Sequence, residues 1–274
     1  MRIVFGLFLA FVALSVAVVP DTRPFAVVTL LLMMFAAREW HRLVRDPDLR
    51  ALSDQRPFHV QTAVTTLAIA LGMTAVMLHL VALGLAVLVI GAVAAFVLAR
   101  RMNDRPAWHA LGVLYLGLPA LALMALRIFP TPAQGTWTIV GLFLIVWSTD
   151  TGALIFGKLI GGSKLWPAVS PGKTWAGTVG GTVTAMAVYA VFAALLSLEM
   201  LPSLVLAFGL SVIAHLGDLL ESALKRRFGS KDSGGLIPGH GGALDRMDSM
   251  LAASVVLALL VFVLHLNPLF GGHA

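Results

Sequence analysis

The chain consists of long apolar segments separated by short polar turns. A membrane span needs about 20 mostly apolar residues to cross roughly 30 Å of hydrocarbon. Residues 62–99 contain no Asp, Glu, Lys or Arg, and this stretch is too long for one span, so we divide it into two that turn near residues 79–84. The nine candidate spans are 3–19, 25–37, 62–79, 80–99, 107–126, 137–149 with a further helical turn, 177–198, 203–217 and 249–266.

This pattern predicts an all-α fold, a polytopic integral-membrane helical bundle of about nine transmembrane helices. Segment 3–19 follows Arg2 and is similar to the apolar part of a signal peptide. A second apolar run follows it directly, so we expect a retained first helix. Segment 25–37 is short, and the first two segments could instead form a hairpin that does not fully cross the bilayer.

The composition agrees with a membrane protein. Of the 274 residues, 59% are hydrophobic and 12% are charged, whereas about a quarter of the residues in a soluble domain are charged. These values exclude a disordered chain, a coiled coil and an ordinary soluble enzyme. Cysteine is absent, so the chain forms no disulfide and no thiolate zinc site, and any metal must have oxygen or imidazole ligands.

The basic residues orient the predicted spans. The net charge is +6, which we attribute to loops facing an anionic cytoplasmic leaflet, and we expect no nucleic-acid partner. With a cytoplasmic N-terminus, 17 of the 19 Lys and Arg residues fall on the cytoplasmic side, and only Arg23 and Arg127 fall on the other. Because basic residues in short loops set orientation, we predict this topology in a bacterial inner (plasma) membrane.

We expect one integral-membrane domain over residues 1–274, with N-terminal spans in 1–135 and catalytic spans with cytoplasmic Gly-rich loops in 136–274. The charges of the N-terminal half are interpreted as anchors beside the membrane. Its histidines are interpreted as structural or incidental; they are His41, His59, His79 and His109.

Acidic residues mark the end of the eighth span. Asp218, Glu221, Ser222 and Lys225 follow one another at helical spacing and share one stripe of a helix. Local pairs at an amphipathic helix end would explain Glu221 and Lys225. They explain Asp218 poorly, because it directly follows an apolar stretch, where an ionisable residue usually faces a polar cavity. Asp150 raises the same question at the end of span 137–149.

A Gly-rich segment follows, with six glycines between residues 229 and 242. Glycine allows backbone N–H groups to approach an anion closely. Asp245 and Asp248 are three residues apart at the start of the last helix, with Arg246 between them. One Asp there would be an ordinary cap. Two Asp, an Arg and a Gly-rich loop predict a site for a metal and phosphates.

A second cluster, residues 170–177, contains Gly172, Lys173 and Thr174 in succession. It lacks the P-loop spacing and follows no strand, so it is not a P-loop. Helix N-terminal amides with a Lys and hydroxyl groups still favour phosphate. All these clusters lie on the cytoplasmic side of the predicted topology. A site there can take a soluble nucleotide from one direction and a lipid headgroup from the other.

Residues 222–248 resemble the phosphatidate cytidylyltransferase (CDP-diacylglycerol synthase) family. Every fixed position of that family's signature is matched, and the resemblance extends from about Trp147 to Ser249 and is weak in the N-terminal third. Gly172 and Ala176 differ from the Lys and Glu of many relatives. The matching signature residues are Ser222, Lys225, Arg226, Lys231, Asp232, Pro238, His240, Gly241, Gly242, Asp245, Arg246 and Asp248.

The resemblance implies transfer of CMP from CTP to phosphatidic acid at the lipid bilayer, giving CDP-diacylglycerol and pyrophosphate. It implies that Asp218 and Asp245 hold Mg²⁺, with a second cation as a further hypothesis. The implied catalytic residues are Asp218, Ser222, Lys225 and Asp245. The implied phosphate-binding residues are Ser170, Lys173, Thr174, Arg226, Lys231, His240, Gly241, Gly242 and Arg246, with Asp150, Glu221 and Asp248 as additional candidates.

The chemistry of the residues agrees with that implication. Both substrates are polyanions, and Mg²⁺ with Lys and Arg counters their charge. The lipid phosphate is already ionised, so we expect no catalytic histidine. The alternatives are a CTP-dependent lipid kinase and an ion-coupled transporter, although a transporter's carboxylates would be expected near the bilayer midplane. A homodimer is a further hypothesis.

Overall fold

The computed structural model describes residues 2–46, 56–129, 131–230, 234 and 242–264. These ranges contain nine helices and a hairpin of two short antiparallel strands. The helices are α1 (Arg2–Val18), α2 (Arg23–Val44), α3 (Arg56–Met77), α4 (Val81–Arg101), α5 (Pro106–Ile128), α6 (Pro132–Leu159), α7 (Trp175–Leu195), α8 (Met200–Arg227) and α9 (Leu244–Phe262). The strands are β1 (Lys164–Trp166) and β2 (Ser170–Thr174).

The prediction of a helical membrane protein is confirmed. Within the described ranges, the six helices α3 to α8 are long and apolar enough to cross a membrane by length and composition. Each of the nine predicted spans overlaps one helix. The chain is therefore a multi-pass membrane protein. The full count of nine crossings and the cytoplasmic N-terminus stay predictions.

Two helices extend well beyond the predicted spans. Helix α6 continues to Leu159 although Ser148, Thr149 and Asp150 interrupt its apolar pattern. The two hydroxyl groups donate hydrogen bonds to carbonyls of the same helix, Ser148 to Leu144 and Thr149 to Ile145, so they do not break it. Helix α8 continues to Arg227 in the same way, as an amphipathic extension of an apolar helix.

The hairpin is a local departure from the all-α prediction. Strand β1 pairs with β2 between α6 and α7, and Lys173 lies in β2 rather than in a loop. Strands of three and five residues are too short to leave an alternating pattern that the sequence reveals.

The chain divides into two compact units. The first contains Met1–Ile128 and Phe228–Met247, and the second contains Phe129–Arg227 and Asp248–Ala274. The predicted division after residue 135 lies near the first boundary. Segment Phe228–Met247, however, is grouped with the N-terminal helices in the first unit.

In the first unit, Trp40 joins α2 to α5. Its indole Nε1 donates to the carbonyl of Trp108 at 2.9 Å, and its ring stacks on Tyr115 with 4.9 Å between centroids. Gly112 leaves the space that the indole occupies, because a Cβ there would collide with the ring. The Trp40 side chain is therefore buried against α5 with its polar N–H satisfied.

A chain of buried polar contacts crosses the same unit. His41 contacts Thr65 at 2.7 Å and His109 at 2.8 Å, and His109 Nε2 contacts a carboxylate oxygen of Asp104 at 3.0 Å. An ionised carboxylate only accepts, so His109 Nε2 donates to Asp104. With both rings neutral, His41 then donates from Nδ1 to His109 and accepts from Thr65. These contacts link α2, α3 and α5 and give both histidines a structural role.

In the second unit, α6 and α7 pack with their backbones in contact. A Cβ at Gly181 would lie 2.6 Å from the carbonyl oxygen of Thr149, so a larger residue there requires the helices to separate. Beside this contact, the Thr149 hydroxyl oxygen lies 2.9 Å from that of Ser211, and Ser211 donates to Thr182 at 3.1 Å. Small residues and interhelical hydroxyl bonds are a usual basis of helix packing in membranes. They tie α6, α7 and α8 together beside Asp150.

We expect Gly181→Ala to destabilise the protein by about 1–3 kcal/mol, because the added methyl group meets backbone atoms that cannot move alone. Thermal unfolding in detergent measures this as a lower melting temperature. Gly209→Ala in α8 is the matched control, since a Cβ there meets no atom within 4 Å. It should leave stability unchanged or raise it by up to about 1 kcal/mol. Equal melting temperatures for the two variants would contradict the close contact of α6 and α7.

Candidate active site

The central contact of the second unit is an ion pair between α8 and the hairpin. Lys173 Nζ lies 2.7 Å from Asp218 Oδ2, and the two side chains are 18% and 32% exposed. Helix α8 places Asp218 directly after its apolar stretch, and β2 brings Lys173 to it. Asp218 also accepts a long hydrogen bond of 3.4 Å from Ser222. The structure therefore brings Lys173, from one predicted cluster, to Asp218 and Ser222 of another.

The hairpin is held at both ends. The backbone N–H of Trp175 donates to the carbonyl of Ser163 at 3.0 Å, which closes the base of the hairpin. Arg226 Nε donates to the carbonyl of Val169 at 3.4 Å, which ties the tip to the end of α8. Arg226, predicted to bind phosphate, thus contacts the hairpin backbone. Ser170 stands at the first position of β2 and is half-buried.

Thr174 caps helix α7. Its hydroxyl oxygen accepts from the backbone N–H of Gly177 at 3.1 Å, and the residue is buried. This is the standard contact of a threonine N-cap. The contact gives Thr174 a structural role next to Lys173, and phosphate binding by Thr174 stays a prediction.

Lys225 is paired with Glu221 one turn earlier on α8. Their side-chain atoms lie 3.2 Å apart, and Glu221 is almost completely buried. A buried carboxylate of this kind requires a cation or hydrogen-bond donors close by. Glu221 therefore holds Lys225 in place, which agrees with the local pair that the helical spacing suggested.

Two further carboxylates meet at Ser249. The Ser249 hydroxyl donates to Asp150 Oδ1 at 3.3 Å, and its backbone N–H donates to Asp248 Oδ1 at 2.6 Å. Gly217 brings α8 against this part of α9, because a Cβ there would lie 2.7 Å from the carbonyl oxygen of Asp248. Asp248 comes just before the predicted span 249–266. Burial, and then the neighbouring charges of Asp218 and Asp150, raise its pKa to about 7.

The donor set of the second unit suits a divalent cation. Asp150, Asp218 and Asp248 repel one another electrostatically, so a bound cation would relieve their repulsion. Their oxygens are the ligands that Mg²⁺ prefers, and Mg²⁺ is usually held by one or two carboxylates together with substrate phosphates and water. Among the described residues, no three acidic or imidazole side chains are close enough to hold a metal by themselves. The residues therefore fit a cation that takes some of its ligands from these carboxylates and the others from a phosphate group and water.

Asp245 belongs to the first unit. Its Oδ2 accepts from the backbone N–H of Gly242 at 2.9 Å in the first turn of α9, and Arg246 beside it is exposed. The predicted metal pair of Asp218 and Asp245 is thus divided between the two units and stays a prediction. Three predicted phosphate-binding residues lie outside the described residues; they are Lys231, His240 and Gly241.

Sequence reasoning missed two residues that support the site. Glu39 accepts from backbone N–H groups at the start of α9, although its half of the chain was interpreted only as anchors. A signal was present, since Glu39 follows an apolar stretch with only Arg38 between them. The other is His215, which is buried on α8 and whose Nε2 lies 3.1 Å from the carbonyl of Thr178 on α7.

Comparisons with known proteins agree with this chemistry. The sequence model of the cytidylyltransferase family matches residues 1–264. A phosphatidate cytidylyltransferase of Brucella suis biovar 1 (strain 1330) is 45% identical over 168 residues, which cover 60% of this chain and 61% of that protein. One of Staphylococcus saprophyticus is 41% identical over 157 residues, covering 57% and 58%. The matched part of the chain thus spans about three-fifths of the length of these relatives.

The raised pKa of Asp248 predicts a pH-dependent stability. A carboxyl group whose pKa is raised on folding stabilises the fold while it is protonated, and that contribution is lost as the pH rises through the raised pKa. We therefore expect Asp248→Asn to melt at a higher temperature than the unaltered protein at about pH 8 without divalent cations, and at nearly the same temperature only at about pH 3.5, below the ordinary pKa of an aspartate.

The control for this comparison is Asp21→Asn, whose carboxylate is half-exposed and paired with Arg23 at the surface. Its melting temperature should follow that of the unaltered protein at both pH values. A difference for Asp248→Asn that is the same at both pH values would contradict the electrostatic origin of the effect.

Proposed function

Because the chain belongs to the cytidylyltransferase family, we propose that it is a membrane enzyme that transfers CMP from CTP to phosphatidic acid. The products are CDP-diacylglycerol, which stays in the membrane, and pyrophosphate. The relatives' names supply the substrate class. The observation that carries the proposal is the 2.7 Å ion pair of Lys173 with Asp218 at the end of an apolar helix. This pair combines a cation that suits phosphate with oxygens that suit a metal.

Lys173 and Lys225 are the phosphate-binding cations of the second unit in this proposal. Each ammonium is paired with a carboxylate, Lys173 with Asp218 and Lys225 with Glu221. These pairs hold the side chains in place before substrate arrives, so little conformational freedom remains to be lost on binding. A polyphosphate carries more negative charge than one carboxylate. It can therefore displace Asp218 from the Lys173 ammonium.

Asp218 and Asp245 would hold Mg²⁺, with Asp248 as an additional ligand. The cluster of Asp218, Asp150 and Asp248 supports a cation site in the second unit, as described above. When bound, Mg²⁺ supplies positive charge that neutralises the phosphates of both substrates. The proposal also includes a second cation bound by the same carboxylates.

The reaction needs little proton movement. An oxygen of the ionised lipid phosphate attacks the α-phosphorus of CTP, and the bond from that phosphorus to the bridging oxygen of the β-phosphate breaks. Pyrophosphate leaves with the electron pair. Positioning and charge neutralisation therefore carry the catalysis. Lys173 and Lys225 neutralise phosphate oxygens, Ser222 is placed to donate a hydrogen bond, and no histidine is required.

The distribution of basic residues supports a cytoplasmic site. Lys158, Lys173 and Lys225 all fall in loops or helix ends assigned to the cytoplasmic face, together with 14 further Lys and Arg residues of the 19 in the chain. Under the nine-span topology with a cytoplasmic N-terminus, CTP reaches the site from the cytoplasm. Phosphatidic acid reaches it from the inner leaflet of the membrane.

Labelled CTP tests the reaction. We expect purified protein with phosphatidic acid, Mg²⁺ and CTP labelled at the α-phosphate to transfer label into the lipid phase. A lipid kinase would transfer only γ-label, and a transporter would transfer neither. Asp218→Asn should lower the activity by about 10²-fold or more, because it removes a carboxylate proposed to hold Mg²⁺ and the ion-pair partner that positions Lys173. Asp21→Asn, which changes a surface ion pair, should retain full activity.

Two lysines assigned to the cytoplasmic face by the predicted topology give a matched comparison. Lys173→Met removes the ammonium paired with Asp218 and should lower kcat/KM for CTP by about 10²-fold. Lys158→Met changes an exposed lysine at the end of α6 and should leave kcat/KM within about twofold. Equal losses in steady-state assays would indicate general attraction of anions to a basic surface instead of a specific role for Lys173.

A further inference from the structure

Glu39 holds the beginning of helix α9 from 204 positions earlier in the chain. Oε1 accepts from the backbone N–H of Ala243 at 2.9 Å, and Oε2 accepts from that of Leu244 at 2.8 Å. The first N–H groups of a helix have no partner within the helix. A carboxylate that binds two of them forms charge-assisted hydrogen bonds at the positive end of the helix dipole. Glu39 itself is only 5% exposed.

The surroundings show that this contact is built into the first unit. Gly234 lies directly on the carboxylate, since a Cβ there would stand 2.7 Å from Glu39 Oε1. The next residue, Trp40, is fixed by its hydrogen bond to Trp108. Phe228, at the other end of the segment, packs edge-on against Trp108 with 4.9 Å between centroids. Within the described residues, the N-terminal helices therefore contact Phe228, Gly234 and the backbone of residues 243–244.

The residue that follows these amides is Asp245. Its carboxylate accepts from Gly242, immediately before the two amides that Glu39 binds. Ala243 and Leu244 are the only residues between Gly242 and Asp245 in the sequence. The orientation of the Asp245 carboxylate is thus set by a short piece of backbone whose two central N–H groups point at Glu39.

We propose that Glu39 is a positioning residue, which fixes the backbone of residues 243–244 and so orients the Asp245 carboxylate toward the metal. This inference rests on the proposed function, in which Asp245 is a Mg²⁺ ligand. Glu39 does not touch substrate or metal in this scheme; it acts through the N-terminal turn of α9. The loss of a residue that orients a metal ligand usually lowers metal affinity or activity by 10–100-fold.

Glu39→Gln is the sharpest variant. Glutamine has nearly the same shape, but one carboxylate oxygen becomes an NH₂ group, which faces a backbone N–H donor instead of accepting from it. We expect the Mg²⁺ concentration for half-maximal activity to rise at least about tenfold, with KM for phosphatidic acid unchanged. The melting temperature in Mg²⁺ alone gives a second readout without turnover, and its increase should require correspondingly more Mg²⁺.

The control is Glu199→Gln, an exposed carboxylate in the turn before α8, which should leave both Mg²⁺ titrations unchanged. If Glu39→Gln does not fold, Glu39→Asp takes its place. Aspartate keeps the charge but is one methylene too short to reach both amides, so it should also raise the Mg²⁺ requirement. Unaltered Mg²⁺ titrations in the folded variant would overturn the inference. An inactive unaltered protein would instead overturn the proposed function.

Discussion

An ionised side chain beside hydrocarbon is stable only when an opposite charge or several hydrogen-bond donors compensate it, and the candidate site depends on this constraint. Asp218 follows an apolar helix and is compensated by Lys173, and buried Glu221 is compensated by Lys225. Glu39 is compensated by two backbone N–H groups. The pairings of Asp218 and Glu39 each tie one element to another, and that of Glu221 fixes Lys225 within α8, so the requirement to compensate charge also builds the site.

The two units meet this requirement by different means. In the second unit, glycines and hydroxyl groups bring α6, α7 and α8 together, as at Gly181 and in the contact between the hydroxyl groups of Thr149 and Ser211. Backbones in contact leave little room for adjustment, which suits a rigid support for charged groups. The first unit relies on large side chains with satisfied polar atoms, of which Trp40 and His41 are the main examples.

Much of this organisation could be predicted from the sequence. Hydropathy located one helix for every predicted span, because a segment without charge over some twenty residues has few other stable structures in a membrane. The spacing of Glu221 and Lys225 predicted their pairing, since residues four apart on a helix are neighbours. The helix ends were less well predicted, because Ser148 and Thr149 satisfy their own hydroxyl groups within α6.

The remaining features depend on contacts that no local pattern contains. Glu39 and Leu244 are 205 positions apart, and a carboxylate that follows an apolar stretch is equally typical of a surface anchor. The β-hairpin is too short for periodicity, so the contact of Lys173 with Asp218 could not be predicted from either segment alone. Asp245 and Asp248 are also equivalent by spacing, yet they belong to different compact units.

The ion pair of Lys173 with Asp218 also has a consequence for selectivity under the proposed function. A lipid that enters the site must offer Lys173 a replacement for the carboxylate it gives up. A phosphate monoester offers two negative charges, whereas a diacylglycerol or a zwitterionic headgroup offers little or no net charge. Diacylglycerol and zwitterionic lipids would then bind weakly, because exchanging the ion pair for a neutral contact is unfavourable. The resting site would thus select lipids by the charge of their headgroups.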